Sequence, residues 1–242
     1  MNFVHGKAAQ TSAPRILEFS DRGACEHALG QRIEKQLAVA VQSGATTMVL
    51  SGGSTPAGIY GQLSRADIPW EKVTFTLSDE RWVSRRDPDS NEAMIRKTLL
   101  RNRARSARLV GLKTRHGSPA AGLEACDARL AACKWPAAVV LLGMGTDGHT
   151  ASLFPDDPGL AAALAVSPAT RCVVAHPASQ KQARMSLSLA CLLDSELICL
   201  LIFGEAKRRV LQAALADGPV EAMPVRGVLK QQAVPIEVYW AP

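Results

Sequence analysis

The stretch Ala137-Ala138-Val139-Val140-Leu141-Leu142-Gly143-Met144-Gly145-Thr146-Asp147-Gly148-His149-Thr150-Ala151-Ser152-Leu153-Phe154-Pro155 decides how this chain is read. Its first six residues are apolar and end at a glycine, which predicts a buried strand. The strand delivers three glycines and an ionisable pair, Asp147 and His149, to the carboxyl edge of a sheet. Glycines there let the backbone turn tightly and approach a ligand. Histidine is the side chain whose unperturbed pKa suits proton transfer near neutral pH. Two readings compete. Gly143-x-Gly145-x-x-Gly148 formally matches a dinucleotide loop, which would make the chain an NAD-type dehydrogenase. That fingerprint expects an acid about 20 residues on, at a strand end. Here that region is Ala161-Ala162-Ala163-Leu164-Ala165. The dinucleotide reading also leaves His149 without a role, whereas a catalytic histidine loop uses it. A plain tight turn is the third alternative.

Working outward, apolar runs alternate with helical patterns. Strands are predicted at Arg15–Phe19, Thr46–Leu50, Val73–Leu77, Ala137–Leu142, Ile198–Phe203 and Val234–Tyr239. Helices are predicted from Ser20 or Asp21 to about Gln42, from Pro56 to Leu63, from Asp89–Asn91 to Leu100, over Ser118–Cys133 and over Glu205–Leu215. The interval Pro155–Pro168 reads as surface loop. This alternation predicts an α/β fold: a mostly parallel sheet with helices on both faces, a Rossmann-like three-layer arrangement. No linker or repeat divides it, so residues 1–242 read as one domain.

In such sheets ligands bind at the carboxyl ends of strands. Two further strand ends carry chemistry. Ser51-Gly52-Gly53-Ser54-Thr55-Pro56 is a candidate phosphate loop, with backbone N–H groups and two hydroxyls ahead of a helix. It is not a Walker A loop, because no G-K-S/T follows. Asp79-Glu80-Arg81 reads as a charged loop: a guanidinium for phosphate or an oxyanion, a carboxylate for a sugar hydroxyl. Lys207 falls in the first turn of a helix, where a cation opposes the helix dipole and a bound anion would offset it. Arg184 precedes an alternating segment and would point into a cleft. No G-x-S-x-G is present, so no serine nucleophile is indicated.

Bulk composition narrows the class. The 242 residues are 47% hydrophobic and 21% charged, with 28 Lys+Arg against 22 Asp+Glu for a net charge of +6. That balance favours anionic ligands. The densest basic segment, Arg96–Arg115, lacks interleaved aromatics and reads as a solvated helix and loop rather than a nucleic-acid surface. Six cysteines without C-x-x-C spacing read as buried, reduced thiols, Cys126 and Cys133 sharing a helix face. The five histidines include no H-E-x-x-H, so no metal is expected. Met1–Pro14 does not resemble a signal peptide, and Leu197–Phe203 is too short to cross a bilayer. The expected location is cytoplasmic, and the oligomeric state stays open.

Three segments together carry a resemblance: Leu50-Ser51-Gly52-Gly53-Ser54-Thr55-Pro56, Ser78-Asp79-Glu80-Arg81-Trp82-Val83 with Ser90-Asn91, and Gly143 to Pro155. In order and spacing they resemble the short bacterial 6-phosphogluconolactonases of the glucosamine-6-phosphate isomerase/6-phosphogluconolactonase family. Gly204-Glu205-x-Lys207 and Pro235-Ile236-Glu237-Val238-Tyr239-Trp240 look similar too. The resemblance implies hydrolysis of 6-phospho-D-glucono-1,5-lactone, a sugar-phosphate lactone, in the oxidative pentose phosphate pathway, with no cofactor. It implies His149 as general base and Asp147 as the residue orienting it. Arg81, or the 143–148 backbone, would face the oxyanion, and Asp79 the sugar hydroxyls. Ser51, Gly52, Gly53, Ser54 and Thr55, with Lys207 and Arg184, would hold the phosphate. The alternative is the related glucosamine-6-phosphate deaminase. Deaminases typically read D-E-Y at Asp79-Glu80-Arg81 and H-I-A-F-N-E-P at His149–Pro155, and both differences favour the lactonase. One departure is an asparagine that the family often carries and that is missing from Arg184–Asp194. A non-catalytic sugar-phosphate sensor would leave the Asp147–His149 pair unused.

Overall fold

The computed structural model describes residues 13–165 and 170–242. Residues 1–12 of the Met1–Pro14 segment, expected not to be a signal peptide, and part of the Pro155–Pro168 interval therefore lie outside the described residues. Ten strands are described: β1 (Arg15–Glu18), β2 (Thr46–Leu50), β3 (Val73–Leu77), β4 (Asp79–Arg81), β5 (Arg108–Val110), β6 (Val139–Leu142), β7 (Cys172–Ala175), β8 (Arg184–Leu187), β9 (Ile198–Phe203) and β10 (Ile236–Ala241). Eight α-helices accompany them: α1 (Arg22–Ala40), α2 (Ala57–Leu63), α3 (Asn91–Thr98), α4 (Pro119–Ala131), α5 (Leu160–Leu164), α6 (Leu189–Leu193), α7 (Glu205–Leu215) and α8 (Val225–Leu229).

Seven strands form one parallel sheet in the order β1-β10-β9-β6-β2-β3-β5. Every residue of β2 and β6 is buried. Alternate side chains of a strand point to opposite faces, so both faces of the central sheet are covered. α1, α2 and α3 pack in one series, and α6, α7 and α8 in another. Among the described residues no helix is long and apolar enough to cross a membrane.

The chain moves from β2 outward to β3 and β5, then returns to β6 and continues outward through β9 and β10. The direction of travel reverses between β2 and β6, which opens a crevice at their carboxyl ends. The loops after β9, β6, β2 and β3 all emerge beside it. This order explains why segments far apart in sequence share one cleft.

The structure departs from the sequence pattern at four places. Asp79-Glu80-Arg81 is not a loop but the strand β4, in a second, antiparallel sheet ordered β4-β8-β7. Ser78 is the crossing point: its N–H donates to Leu50 O on the parallel sheet, and its C=O accepts from Leu187 N at the end of β8, both at 2.8 Å. The interval after Pro155 contains α5, and the basic segment Arg96–Arg115 contains the edge strand β5. Cys133 lies beyond the end of α4 and is half-buried, so it shares no helix face with Cys126; all six cysteines are free. Two helix starts agree with their capping residues. Asp21 Oδ1 accepts from Ala24 N at 2.9 Å, and Ser90 Oγ from Ala93 N at 3.1 Å.

Candidate active site

The 143–150 loop closes on itself. Gly145 N donates to His149 O at 2.8 Å, Gly148 N to Gly145 O at 3.2 Å, and Thr150 Oγ1 to Gly143 O at 2.9 Å. Gly148 needs its glycine, with φ of +79°. The fold thereby presents Asp147 and His149 together: His149 Nδ1 and Asp147 Oδ1 are 2.6 Å apart, and His149 N also donates to that oxygen at 3.1 Å. Gly145 makes this possible, because a Cβ there would lie 2.1 Å from His149 Nδ1. Burial pushes the Asp147 carboxyl up, but the His149 backbone N–H and imidazole outweigh it, and the net shift is down. The dinucleotide reading fails on this geometry. The amides of Gly145, Gly148 and His149 are spent inside the loop, and the next α-helix begins only at Leu160.

The loop borders a cleft of about 520 Å³, into which His149, Arg81, Arg184, Lys207, Asp79 and Ser51 all face. Gly52 through Thr55 complete one wall, so the cleft draws on every sequence-predicted site residue except Asp147, which stands behind His149. In the phosphate-loop segment Gly53 has φ of +83°, and a Cβ on Gly52 would lie 2.0 Å from Asn91 Oδ1. Pro56 caps α2 rather than forming its first turn, and α2 is only seven residues long.

The cationic wall comes from the antiparallel sheet. Arg81 on β4 and Arg184 on β8 are directly opposite partners in register. Like charges in that relation are destabilising on their own. Arg81 Nη1 donates to Asp89 O at 2.7 Å and to Asn91 Oδ1 at 3.0 Å. Arg184 Nη2 donates to Gln180 Oε1 at 2.7 Å, and Nη1 reaches Asp79 Oδ2 at 3.4 Å. The Nε atoms of both arginines are buried without a hydrogen-bond partner. Such unpaired buried donors are uncommon and carry a desolvation cost. Burial lowers the Arg184 pKa, the Asp79 charge opposes this, and Arg81 lowers it further. Lys207 Nζ donates to Met144 O at 2.7 Å; burial lowers its pKa and the Asp147 charge raises it.

Asp79 is more committed than the sequence suggests. Ser152 Oγ donates to its Oδ2 at 2.5 Å, and Asn91 Nδ2 reaches its Oδ1 at 3.3 Å. Glu80 faces away from the cleft and anchors the start of α3. Its carboxylate accepts from Arg81 N, Asn91 N and Glu92 N at 2.8 Å each, and from Ser90 Oγ at 3.1 Å. Burial raises the Glu80 pKa against these hydrogen bonds. Asn91, Ser152 and Gln180 were not singled out for these roles by sequence. Asn91 and Ser152 fall within recognised segments, yet their partners stand at distant positions. Among the described residues no group of His, Cys, Asp and Glu is placed to hold a metal ion.

A family model described as glucosamine-6-phosphate isomerases/6-phosphogluconolactonase matches residues 20–240. The chain belongs to this family. Within it, the chain is 40% identical over 227 residues to the 6-phosphogluconolactonase of Mesorhizobium japonicum, covering 93% of this chain and 94% of the relative. It is 37% identical over 201 residues to that of Pseudomonas aeruginosa, covering 83% of each. The crystal structure of a 6-phosphogluconolactonase from Shewanella baltica superposes with a TM-score of 0.93 at 38% identity, over 97% of this chain and 100% of that one. A monomeric glucosamine-6-phosphate deaminase matches at a TM-score of 0.73 with 18% identity over 93% of this chain and 96% of its own, a likeness of fold alone.

Proposed function

We propose that this chain hydrolyses 6-phospho-D-glucono-1,5-lactone to 6-phospho-D-gluconate, in the oxidative pentose phosphate pathway. Lactonase relatives at up to 40% identity support this reading over the deaminase, to which the likeness is one of fold. The observation that carries the chemistry is the 2.6 Å Asp147–His149 pair at the edge of a cleft walled by Arg81, Arg184 and Lys207. A proton acceptor beside fixed cations suits a neutral carbonyl joined to a phosphate.

In the proposed mechanism His149 Nε2 takes a proton from water as the water oxygen bonds to the lactone carbonyl carbon. Asp147 holds Nδ1, fixes the tautomer and stabilises the imidazolium that forms. The tetrahedral oxyanion collapses, the bond to the ring oxygen breaks, and His149 returns the proton to that oxygen. Such transfers contribute about 10²–10⁴-fold. The guanidinium groups of Arg81 and Arg184, with the Lys207 ammonium, take the phosphate and oxyanion charge. Gly145 and Gly148 have spent their amides, which favours Arg81 over the 143–148 backbone as the oxyanion partner. Asp79, already bonded to Ser152 and near Arg184, orients that guanidinium more than it offers a lone pair to a sugar hydroxyl. No cofactor enters these steps. A single domain over residues 1–242 fits a family match spanning 20–240, and six free thiols suit the reducing cytoplasm.

The test follows proton release from freshly generated 6-phosphogluconolactone, with and without protein, because the lactone also hydrolyses unaided. Acceleration by the wild-type chain and its loss in His149→Ala are expected. Wild-type turnover in His149→Ala overturns the mechanism, and ammonia release from glucosamine 6-phosphate would decide for the deaminase.

A further inference from the structure

Against the His149 imidazole packs a buried aromatic ring that the steps above do not use. Phe154 is 1% exposed. Its ring centroid lies 4.1 Å from that of the His149 imidazole, with 29° between the planes. The Arg184 guanidinium carbon stands 5.2 Å from the same centroid. The ring is well fixed. Leu153 N donates to Thr150 O at 2.9 Å, and Asp157 N to Phe154 O at 3.2 Å, closing the turn on either side. Ser152 N donates to Ser186 Oγ at 3.1 Å, which ties the turn to β8, the strand of Arg184.

Asp147 and Phe154 restrain different freedoms. The hydrogen bond at Nδ1 selects which ring nitrogen faces Asp147, but it leaves the imidazole free to tilt about that bond. His149 and Asp147 side chains are 29% and 43% exposed, so the pair alone is open to swing. A ring stacked in van der Waals contact removes the tilt. The same ring lies against Arg184, so one rigid side chain sets the base relative to a guanidinium.

We infer that Phe154 is a positioning residue for the hydrolysis, holding the His149 imidazole in the plane from which Nε2 meets the attacking water and fixing it relative to Arg184. The inference rests on the lactonase reading. It is tested in the full chain with Phe154→Leu and Phe154→Met, both apolar and ringless. With positioning lost, kcat falls between about tenfold and a hundredfold, while KM stays within about threefold. A second measurement reads the stack directly by NMR of the His149 Cε1 proton. In the wild type the Phe154 ring current displaces it upfield; in either variant it returns to the ordinary histidine position. Wild-type kcat in Phe154→Met, at an active wild-type enzyme, overturns the inference alone. Absence of lactone hydrolysis by the wild type overturns the functional reading and this inference with it. Should Phe154→Leu not fold, Phe154→Met and the wild-type resonance still decide. An undisplaced wild-type Cε1 proton refutes the positioning role.

Discussion

Gly145→Ala would disable the proposed acid–base pair without altering either member. Gly145 lies outside the left-handed backbone region, so alanine meets no backbone penalty there. The added Cβ would instead stand 2.1 Å from His149 Nδ1, 2.3 Å from His149 Cε1 and 2.3 Å from Asp147 Oδ1. Non-bonded heavy atoms rest at about 3.5 Å, so the imidazole must retreat by more than about 1 Å. A displacement of that size costs roughly 100-fold in rate, about 2.7 kcal/mol of barrier. The ceiling is the whole general-base contribution, about 10⁴-fold. The fold itself has an easy escape, because the His149 side chain is 29% exposed and can swing outward. Stability should therefore drop by less than about 1 kcal/mol, roughly 2–4 °C in Tm for a chain of this size. The assay is proton release from fresh lactone together with thermal denaturation. The expected result is kcat reduced at least about 100-fold, with KM within about threefold and Tm nearly unchanged. Retention of kcat within about threefold of wild type would refute the claim that the close Asp147–His149 pairing drives the reaction.

Other outcomes follow from the same geometry. Lys207→Ala removes a charged donor from the cleft and should raise KM between about tenfold and a hundredfold while kcat changes little; an unchanged KM removes Lys207 from the phosphate site. Glu80→Ala leaves the amides of Arg81, Asn91 and Glu92 without their 2.8 Å acceptor. The cost should be about 3 kcal/mol, a Tm drop of roughly 6–12 °C, and a Tm within about 2 °C of wild type would show that α3 does not depend on this anchor. The Asp147 carboxyl is held below its ordinary value, so its contribution to stability is complete above the ordinary carboxylate range and lost as pH falls through the lowered one. The Tm gap between wild type and Asp147→Asn should accordingly persist through mildly acidic pH and close only under stronger acid; a gap independent of pH contradicts the pairing.

The sequence by itself determined the parallel sheet and the chemistry at its edge. Runs such as Val139–Leu142 and Ile198–Phe203 are apolar at successive positions because both faces are buried, and that pattern is local. The glycines and the Asp147–His149 spacing are local too, so the candidate base was legible before any coordinates. Tertiary structure alone decided the second sheet and what it does. β4 is three charged residues with no apolar alternation, and its partner Arg184 stands 105 positions from Asp79. Only the pairing of β4 with β8 sets Arg81 against Arg184 on the cleft wall. The contact of Phe154 with both His149 and Arg184 likewise depends on a turn bonded to a distant strand. Strand periodicity and turn residues are written along the chain. Which charges face one another across a cleft depends on long-range register, which no local pattern encodes.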